Sequence, residues 1–119
     1  MDFEKLDVWK MSTDLTVEVY KGMKSLRDYG FKDQITRSAL SIPSNIAEGM
    51  TRNGHREKLQ FLNIAKGSCS ELRTQIYIGK RIDYIEDGIA IEWIGRTVRI
   101  ASMISGLTNK IKKDEELVC

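Results

Sequence analysis

Apolar side chains recur at every third or fourth position along most of the chain, which is the spacing of one face of an α-helix. Runs that alternate apolar and polar residues, as half-buried strands do, are nearly absent. The stripes are interrupted near Gly30, at Asn53-Gly54 and at Asp87-Gly88, where turns are favoured. The pattern therefore predicts an all-α chain of four helices. Their expected ranges are about 6–28, 33–51, 55–83 and 89–112, with a frayed tail at 113–119.

Short connections between the predicted helices determine how these helices pack. Consecutive helices joined by only a few residues lie antiparallel, so the four should form an up-down-up-down four-helix bundle. The chain has 119 residues, enough for one hydrophobic core and too few for two ordinary domains, so residues 1–119 are expected to form a single domain. The inward stripe of the third helix comprises Leu62, Ala65, Cys69, Leu72, Ile76 and Gly79. The inward stripe of the fourth comprises Ile91, Ile94, Val98, Ala101, Ile104, Leu107 and Ile111.

The second predicted helix departs from ordinary helix composition. Asp33 is its expected N-cap. Pro43 lies in its middle, where the missing N–H and a clash with the preceding turn would cost about 3 kcal/mol in an isolated helix. Polar residues also recur at three and four along one side, which makes this helix the expected place for special packing or function. These residues are Gln34, Arg37, Ser41, Asn45, Glu48 and Arg52.

The third predicted helix carries a matching polar row. Gly67 and the small residues after it would let the two backbones approach closely. In an antiparallel hairpin that turns near Asn53, Arg37 is expected to pair with Glu71, and this pair would fix the register of the two helices. We call the residues expected to share this contact the polar seam: Gln34, Arg37, Ser41, Pro43, Asn45, Glu48, Ser68, Glu71 and Gln75.

Charge is nearly balanced, with 19 Lys and Arg against 17 Asp and Glu and a net charge of +2, so any nucleic-acid site must be local. The segment 52–58 is locally basic. Its cations lie at a predicted helix N-terminus, where side chains and free amides together would contact phosphates without reading base sequence. The alternative is an ordinary solvated turn. The candidate phosphate contacts are Arg52, His55, Arg56 and Lys58.

No constellation of residues indicates catalysis or metal binding. His55 is the single histidine, and no serine, cysteine or paired carboxylate is placed beside it by the sequence. Cys69 lies on an apolar stripe and Cys119 ends the chain, without CxxC spacing, which indicates a reducing compartment. No signal peptide and no window of 18 apolar residues appears. We therefore predict a cytoplasmic protein with no catalytic site, metal, cofactor or membrane partner.

The unusual residues also occur in an order that resembles a known family. They are Leu6-Asp7-Val8-Trp9, then Gln34, Arg37, the run Ser41-Ile42-Pro43-Ser44-Asn45-Ile46-Ala47-Glu48-Gly49 and Arg52, then Phe61-Leu62, Ala65, Gly67-Ser68, Glu71-Leu72 and Gln75. This set resembles the four-helix bundle proteins encoded by intervening sequences in bacterial 23S ribosomal RNA genes. The resemblance covers the first three helices, whereas the fourth matches only in its apolar pattern.

This resemblance implies a homo-oligomer, typically a pentameric barrel, and a distant relation to the accessory proteins of diversity-generating retroelements, which bind nucleic acid and a reverse transcriptase. It implies no established activity for this branch of the family. Thr36 stands where a second arginine is usual, and Lys58 stands where an aromatic residue is common. The loop after the first helix also lacks the usual proline.

Two functions of different classes are consistent with these features. The first is a non-catalytic oligomeric bundle that binds RNA or DNA through phosphate contacts. The second is a structural or protein-interaction oligomer with no nucleic-acid role, whose polar seam serves assembly alone. Nucleic-acid binding that weakens steeply with salt would favour the first.

Overall fold

A computed structural model describes residues 2–118 and contains four α-helices, with no strand in that range. A short 3₁₀-helix, Phe3–Lys5, precedes them. The helices are α1 (Asp7–Met23), α2 (Tyr29–Met50), α3 (His55–Arg81) and α4 (Asp87–Val118). The predicted all-α class and the number of helices are confirmed. The helices pack side by side into a body of 51 × 21 × 20 Å, and none of the described helices is both long and apolar enough to cross a membrane.

Contacts between α2 and α3 show that these two helices are antiparallel, and the connection of only five residues, 82–86, likewise places α4 antiparallel to α3. Ser41 on α2 contacts Ser68 on α3, whereas Arg52 near the end of α2 contacts Glu57 at the start of α3. The core runs between the helices, and all six residues of the inward stripe predicted for the third helix are buried. Side chains from all four helices complete this core: Leu15, Val19, Ile35, Ile42, Ile46, Leu62, Leu72, Ile76, Ile100 and Ile104 are the largest fully buried apolar ones.

The first half of α4 is rotated from the face that its apolar spacing predicted. Ile91 and Val98, which were expected to point inward, are 62% and 51% exposed, and the buried positions are Ala90, Trp93 and Thr97. Apolar residues surround the helix on almost every side over residues 89–94, so spacing alone does not define a single inward face. Tertiary packing selects Trp93, whose ring lies against Gly22 of α1 and would be 2.8 Å from a Cβ added there.

The connection between α1 and α2 differs from the prediction at both ends. The first helix ends at Met23, five residues early, and α2 begins at Tyr29, four residues before the predicted start. Asp28, not Asp33, is the N-cap, because its Oδ1 accepts a hydrogen bond of 3.1 Å from the backbone N–H of Phe31.

The end of α4 also differs from the prediction. Residues 113–118 were expected to fray, but α4 continues without a break to Val118. The sequence there, Lys-Lys-Asp-Glu-Glu-Leu over residues 112–117, consists mostly of strong helix formers, which extends the helix. Cys119 lies outside the described residues.

A hydrogen bond from α1 compensates for the proline inside α2. Pro43 is buried and has no N–H with which to bond the carbonyl of Ala39, one turn earlier. The hydroxyl of Thr16 donates to that carbonyl at 2.9 Å and shares its proton with the carbonyl of Ser12 in its own helix at 2.7 Å. Ala39 is fully buried, so this contact satisfies an acceptor that water does not reach.

The glycine that lets α2 and α3 approach closely is Gly49, not Gly67. A Cβ added at Gly49 would lie 3.0 Å from the Cβ of Phe61 and 3.3 Å from the carbonyl oxygen of Lys58. Gly67 is exposed, and a Cβ added there would have no neighbour within 4 Å. The prediction for Gly67 is wrong, because sequence spacing did not show which side of α3 faces α2.

Candidate functional site

The predicted phosphate contacts at the turn between α2 and α3 fall into two groups. Residues of the first group already have partners within the bundle, and those of the second form no ion pair within the described residues. Lys58 belongs to the first, because its Nζ donates to the carbonyl oxygens of Arg52 and, at 3.4 Å, Met50. These carbonyls lie at the C-terminal end of α2, where a cation is favoured by the helix dipole and by unpaired acceptors. Lys58 is thus a cap of α2.

Arg52 is also held by neighbours. Its Nη2 lies 2.6 Å from Oε1 of Glu48, and its Nε lies 3.9 Å from Oε2 of Glu57. The guanidinium group stacks over the ring of Phe61, 5.0 Å from the ring centre. Two carboxylates therefore already neutralise the charge that the sequence assigned to phosphate binding.

His55 and Arg56 form the second group, in the first turn of α3. Arg56 is exposed and forms no ion pair with any part of residues 2–118. His55 is half-buried at a hollow of about 210 Å³ beside Lys58, Lys110 and Asp114. No serine or cysteine lines this hollow, and Asp114 is its single carboxylate, so it lacks a nucleophile or a carboxylate pair.

The middle of the polar seam is a hydrogen-bonded cluster between α2 and α3. The hydroxyl groups of Ser41 and Ser68 are 2.8 Å apart. Asn45 Nδ2 donates to the carbonyl oxygen of Ser41 at 2.8 Å and to its hydroxyl at 2.9 Å. The bond between the two serine hydroxyl groups crosses from α2 to α3, and Asn45 holds Ser41 in place from within α2.

The outer part of the seam lies at the surface, and the predicted pair between Arg37 and Glu71 is wrong. Arg37 instead pairs with Asp33 one turn earlier in α2, at 3.0 Å, with 77% of its side chain exposed. Glu71 is exposed and lines a shallow hollow with Gln34 and Gln75. Asp33 and Arg37 are four residues apart, so they are neighbours on the surface of the same helix and can pair without any contact between helices. Arg37 therefore pairs with Asp33 and not with Glu71.

A polar groove between α3 and α4 was not identified from the sequence. This α3/α4 groove has a volume of about 230 Å³ and is lined by Leu59, Leu62, Asn63, Lys66, Ser105, Thr108, Asn109 and Lys112. Each helix contributes an Asn-x-x-Lys segment, which is the sequence signal that could have indicated it. That signal becomes useful only when the alignment of α3 against α4 is known.

No carboxylate lines the α3/α4 groove. Neither Lys66 nor Lys112 takes part in an ion pair within the described part of the chain. Each helix lines the groove over eight positions, 59–66 and 105–112, and places its lysine last. Because the helices are antiparallel, the two lysines lie at opposite ends, about 10 Å apart along the helix axes.

The remaining polar groups in the core do not form a reactive site. Burial raises the pKa of the Cys69 thiol to about 12, so the thiol stays protonated and unreactive at neutral pH. Arg73 Nε donates to the buried hydroxyl of Thr97 at 2.9 Å and joins α3 to α4. Among residues 2–118, no group of three or more His, Cys, Asp or Glu side chains is placed to hold a metal ion.

Comparisons with known proteins identify the family. A protein of unknown function from the S23 ribosomal protein family of Bacteroides thetaiotaomicron has a similar structure, with a TM-score of 0.80, 22% sequence identity, and coverage of 85% of this chain and 97% of that one. At this identity the similarity establishes the fold alone. No curated protein matches the chain. The family model described as 23S rRNA-intervening sequence protein matches residues 4–106. The chain therefore belongs to the family of 23S rRNA-intervening sequence proteins.

Proposed function

We propose that this chain is a non-catalytic helical bundle that assembles with copies of itself and binds RNA or DNA through phosphate contacts at the α3/α4 groove. The observation that carries the proposal is the pair of lysines at the two ends of a groove without carboxylates. Lysine is a compact point charge suited to phosphate oxygens. Each strand of a DNA duplex repeats a phosphate about every 3.4 Å along the helix axis, and an extended single strand repeats it at a longer spacing, so lysines about 10 Å apart can reach two different phosphates of one strand.

The surroundings of the groove support the same proposal. Arg56 adds an exposed positive charge in the first turn of α3. The N-cap of α3, Gly54, provides no side-chain acceptor, so the first amides of the helix are available to an anion. Arg52 and Lys58 contribute less than their sequence suggests, because both have partners within the bundle.

Self-association would place several such grooves on one particle. The family resemblance implies a ring of five subunits, and repeated weak sites on one strand would raise the overall affinity. An apolar groove between α1 and α2, with a volume of about 400 Å³, supports a partner surface. This α1/α2 groove is lined by Phe3, Trp9, Thr13, Thr16, Val17, Leu40, Pro43, Ser44 and Ala47.

The test is fluorescence anisotropy with labelled single-stranded RNA and DNA at several salt concentrations. We expect binding that weakens with salt and a Lys66→Ala/Lys112→Ala variant whose log–log salt slope is smaller by about 1.4, the value for two lost contacts to a single strand. The matched control is Lys10→Ala/Lys21→Ala, which removes the same charge from exposed positions of α1. Absence of binding at low salt, or equal affinity of both double variants, would refute the proposal.

The second candidate is a purely structural or protein-interaction oligomer, and the α1/α2 groove favours it. Leu40 is 47% exposed and Val17 is 46% exposed, so these side chains lie uncovered on the isolated bundle. Light scattering would show a particle of several subunits that Leu40→Glu converts to monomers without unfolding. An oligomer with no affinity for nucleic acid would support this second candidate, whereas a wild-type monomer would eliminate it.

A further inference from the structure

We infer that the α3/α4 groove takes single-stranded RNA and distinguishes ribose from deoxyribose through hydrogen bonds to the 2′-hydroxyl group. This inference rests on the proposed function, because it specifies which nucleic acid the same groove binds. Its basis is the set of uncharged polar side chains between the two lysines. They are Asn63, Ser105, Thr108 and Asn109.

The dimensions of the groove favour one strand over a duplex. Its volume of about 230 Å³ lies below the usual range for small-ligand pockets, so a strand would lie along the groove between the two lysines and would not be enclosed by it. In a duplex both backbones are held in a fixed helical path. Single strands also expose the sugar edge and leave the backbone free to follow the line between Lys66 and Lys112.

The polar side chains in the groove have unused hydrogen-bonding capacity. Elsewhere in the bundle, Thr51, Thr74 and Thr97 donate to backbone carbonyls three or four residues earlier in the chain. Within residues 2–118, neither Thr108 nor Ser105 makes such a bond, and the amides of Asn63 and Asn109 have no protein partner either. These groups supply both donors and acceptors toward the groove.

Ribose provides the group that matches this lining. The 2′-hydroxyl group both donates and accepts a hydrogen bond, and it is the group by which proteins distinguish RNA from DNA. A deoxyribose strand would cover the same amides and hydroxyls without pairing them. Because covered polar groups left unpaired lose their hydration, the site would reject the strand that lacks the hydroxyl.

The experiment compares labelled oligouridine with oligodeoxyuridine of equal length, so that base and charge are identical. We expect the protein to bind the ribose strand about tenfold more tightly, as one or two net hydrogen bonds provide. Asn63→Ala/Asn109→Ala should bring the ratio near one, because the ribose strand loses its partners and the deoxyribose strand no longer leaves amides unpaired. The control Gln60→Ala removes an exposed amide from the same helix outside the groove and should keep the ratio.

The possible outcomes separate this inference from the proposed function. Equal affinity for the two strands, with both affinities lowered by Lys66→Ala/Lys112→Ala, would refute ribose selection and leave phosphate binding in place. Failure to bind either strand would refute the proposed function. Equal competition by inorganic polyphosphate at matched charge, or tighter binding of duplex RNA, would also overturn the inference. The substituted residues are exposed, so each variant should remain folded. Circular dichroism of each variant checks this.

Discussion

Glycines in this bundle differ in whether the space beside them is occupied, and this difference sets their contribution to stability. Gly49 lies where α2 and α3 approach closely, against Phe61 and the backbone of Lys58. Gly67 lies in the exposed interior of α3 with open space beside it. The same chemical change at the two sites therefore has opposite expected effects.

Gly49→Ala should destabilise the bundle by about 1–3 kcal/mol, because the added methyl group forces helices that are already in contact apart. Gly67→Ala should stabilise it by about 0.5–1 kcal/mol, because alanine restricts the unfolded chain and meets no obstacle. Urea denaturation followed by circular dichroism, at one protein concentration, measures both. A loss of stability in Gly67→Ala would contradict the open environment of that residue.

At the scale of elements, α2 depends on α1 for one of its backbone hydrogen bonds. Pro43 leaves the carbonyl of Ala39 without its helical donor, and Thr16 on α1 supplies a hydroxyl. The sequence indicated that the cost of a proline inside the helix had to be offset. It did not indicate the partner, because Thr16 is 23 residues away from Ala39 and belongs to another helix.

A double-mutant cycle would measure this dependence. Thr16→Val keeps the shape of the side chain but leaves a buried carbonyl unpaired, so we expect a loss of about 1–3 kcal/mol. In a Pro43→Ala background the new N–H can bond Ala39, and Thr16→Val should cost much less, which gives a coupling of about 1 kcal/mol or more. Thr16→Ser, which keeps the hydroxyl, is the control. Additive effects in the cycle would rule out the compensation.

At the scale of the whole molecule, one hydrogen bond joins the two loops at the end of the bundle remote from the turn between α2 and α3. Tyr84, after α3, donates its hydroxyl to Oδ2 of Asp28, before α2, at 2.8 Å. The N–H of Phe31 and then the hydroxyl of Tyr84 lower the pKa of Asp28. The same bond to Asp28 raises the pKa of Tyr84.

These two pKa shifts predict a pH range for the contact. The Asp28 carboxylate has a lowered pKa, so its stabilisation is present above its ordinary pKa of 3.8 and is lost as pH falls through the folded value. Tyr84 has a raised pKa, so its stabilisation is present below 10.0 and is lost as pH rises through the folded value. Near pH 7 the wild type should thus have a higher Tm than the Tyr84→Phe variant, and the difference in Tm should shrink toward low and high pH.

Thermal melts of both proteins between about pH 2.5 and pH 11 test this range. The rings of Tyr84 and Phe31 pack edge to face with their centres 5.2 Å apart. Phenylalanine at position 84 keeps this packing, so the comparison isolates the contribution of the hydroxyl group. A difference in Tm that stays constant across the range would show that the hydrogen bond contributes nothing.

The sequence by itself determined the all-α class, the number of helices and the buried stripe of α3, because each depends on the period of apolar residues within one segment. It also determined the family, through the run around Pro43. The tertiary structure alone decided which face of α4 is buried, that Arg37 pairs with Asp33, and that Lys58 caps α2.

The α3/α4 groove, like those contacts, was decided by the tertiary structure. Asn63 and Lys66 become part of one surface with Asn109 and Lys112 only when the two helices are aligned against each other. Helical periodicity states which residues share a face of one helix, and it contains no information about which face of another helix lies opposite. The rotation and alignment of neighbouring helices follow from how whole side chains interlock, and this is the physical reason that the tertiary structure decided the candidate site.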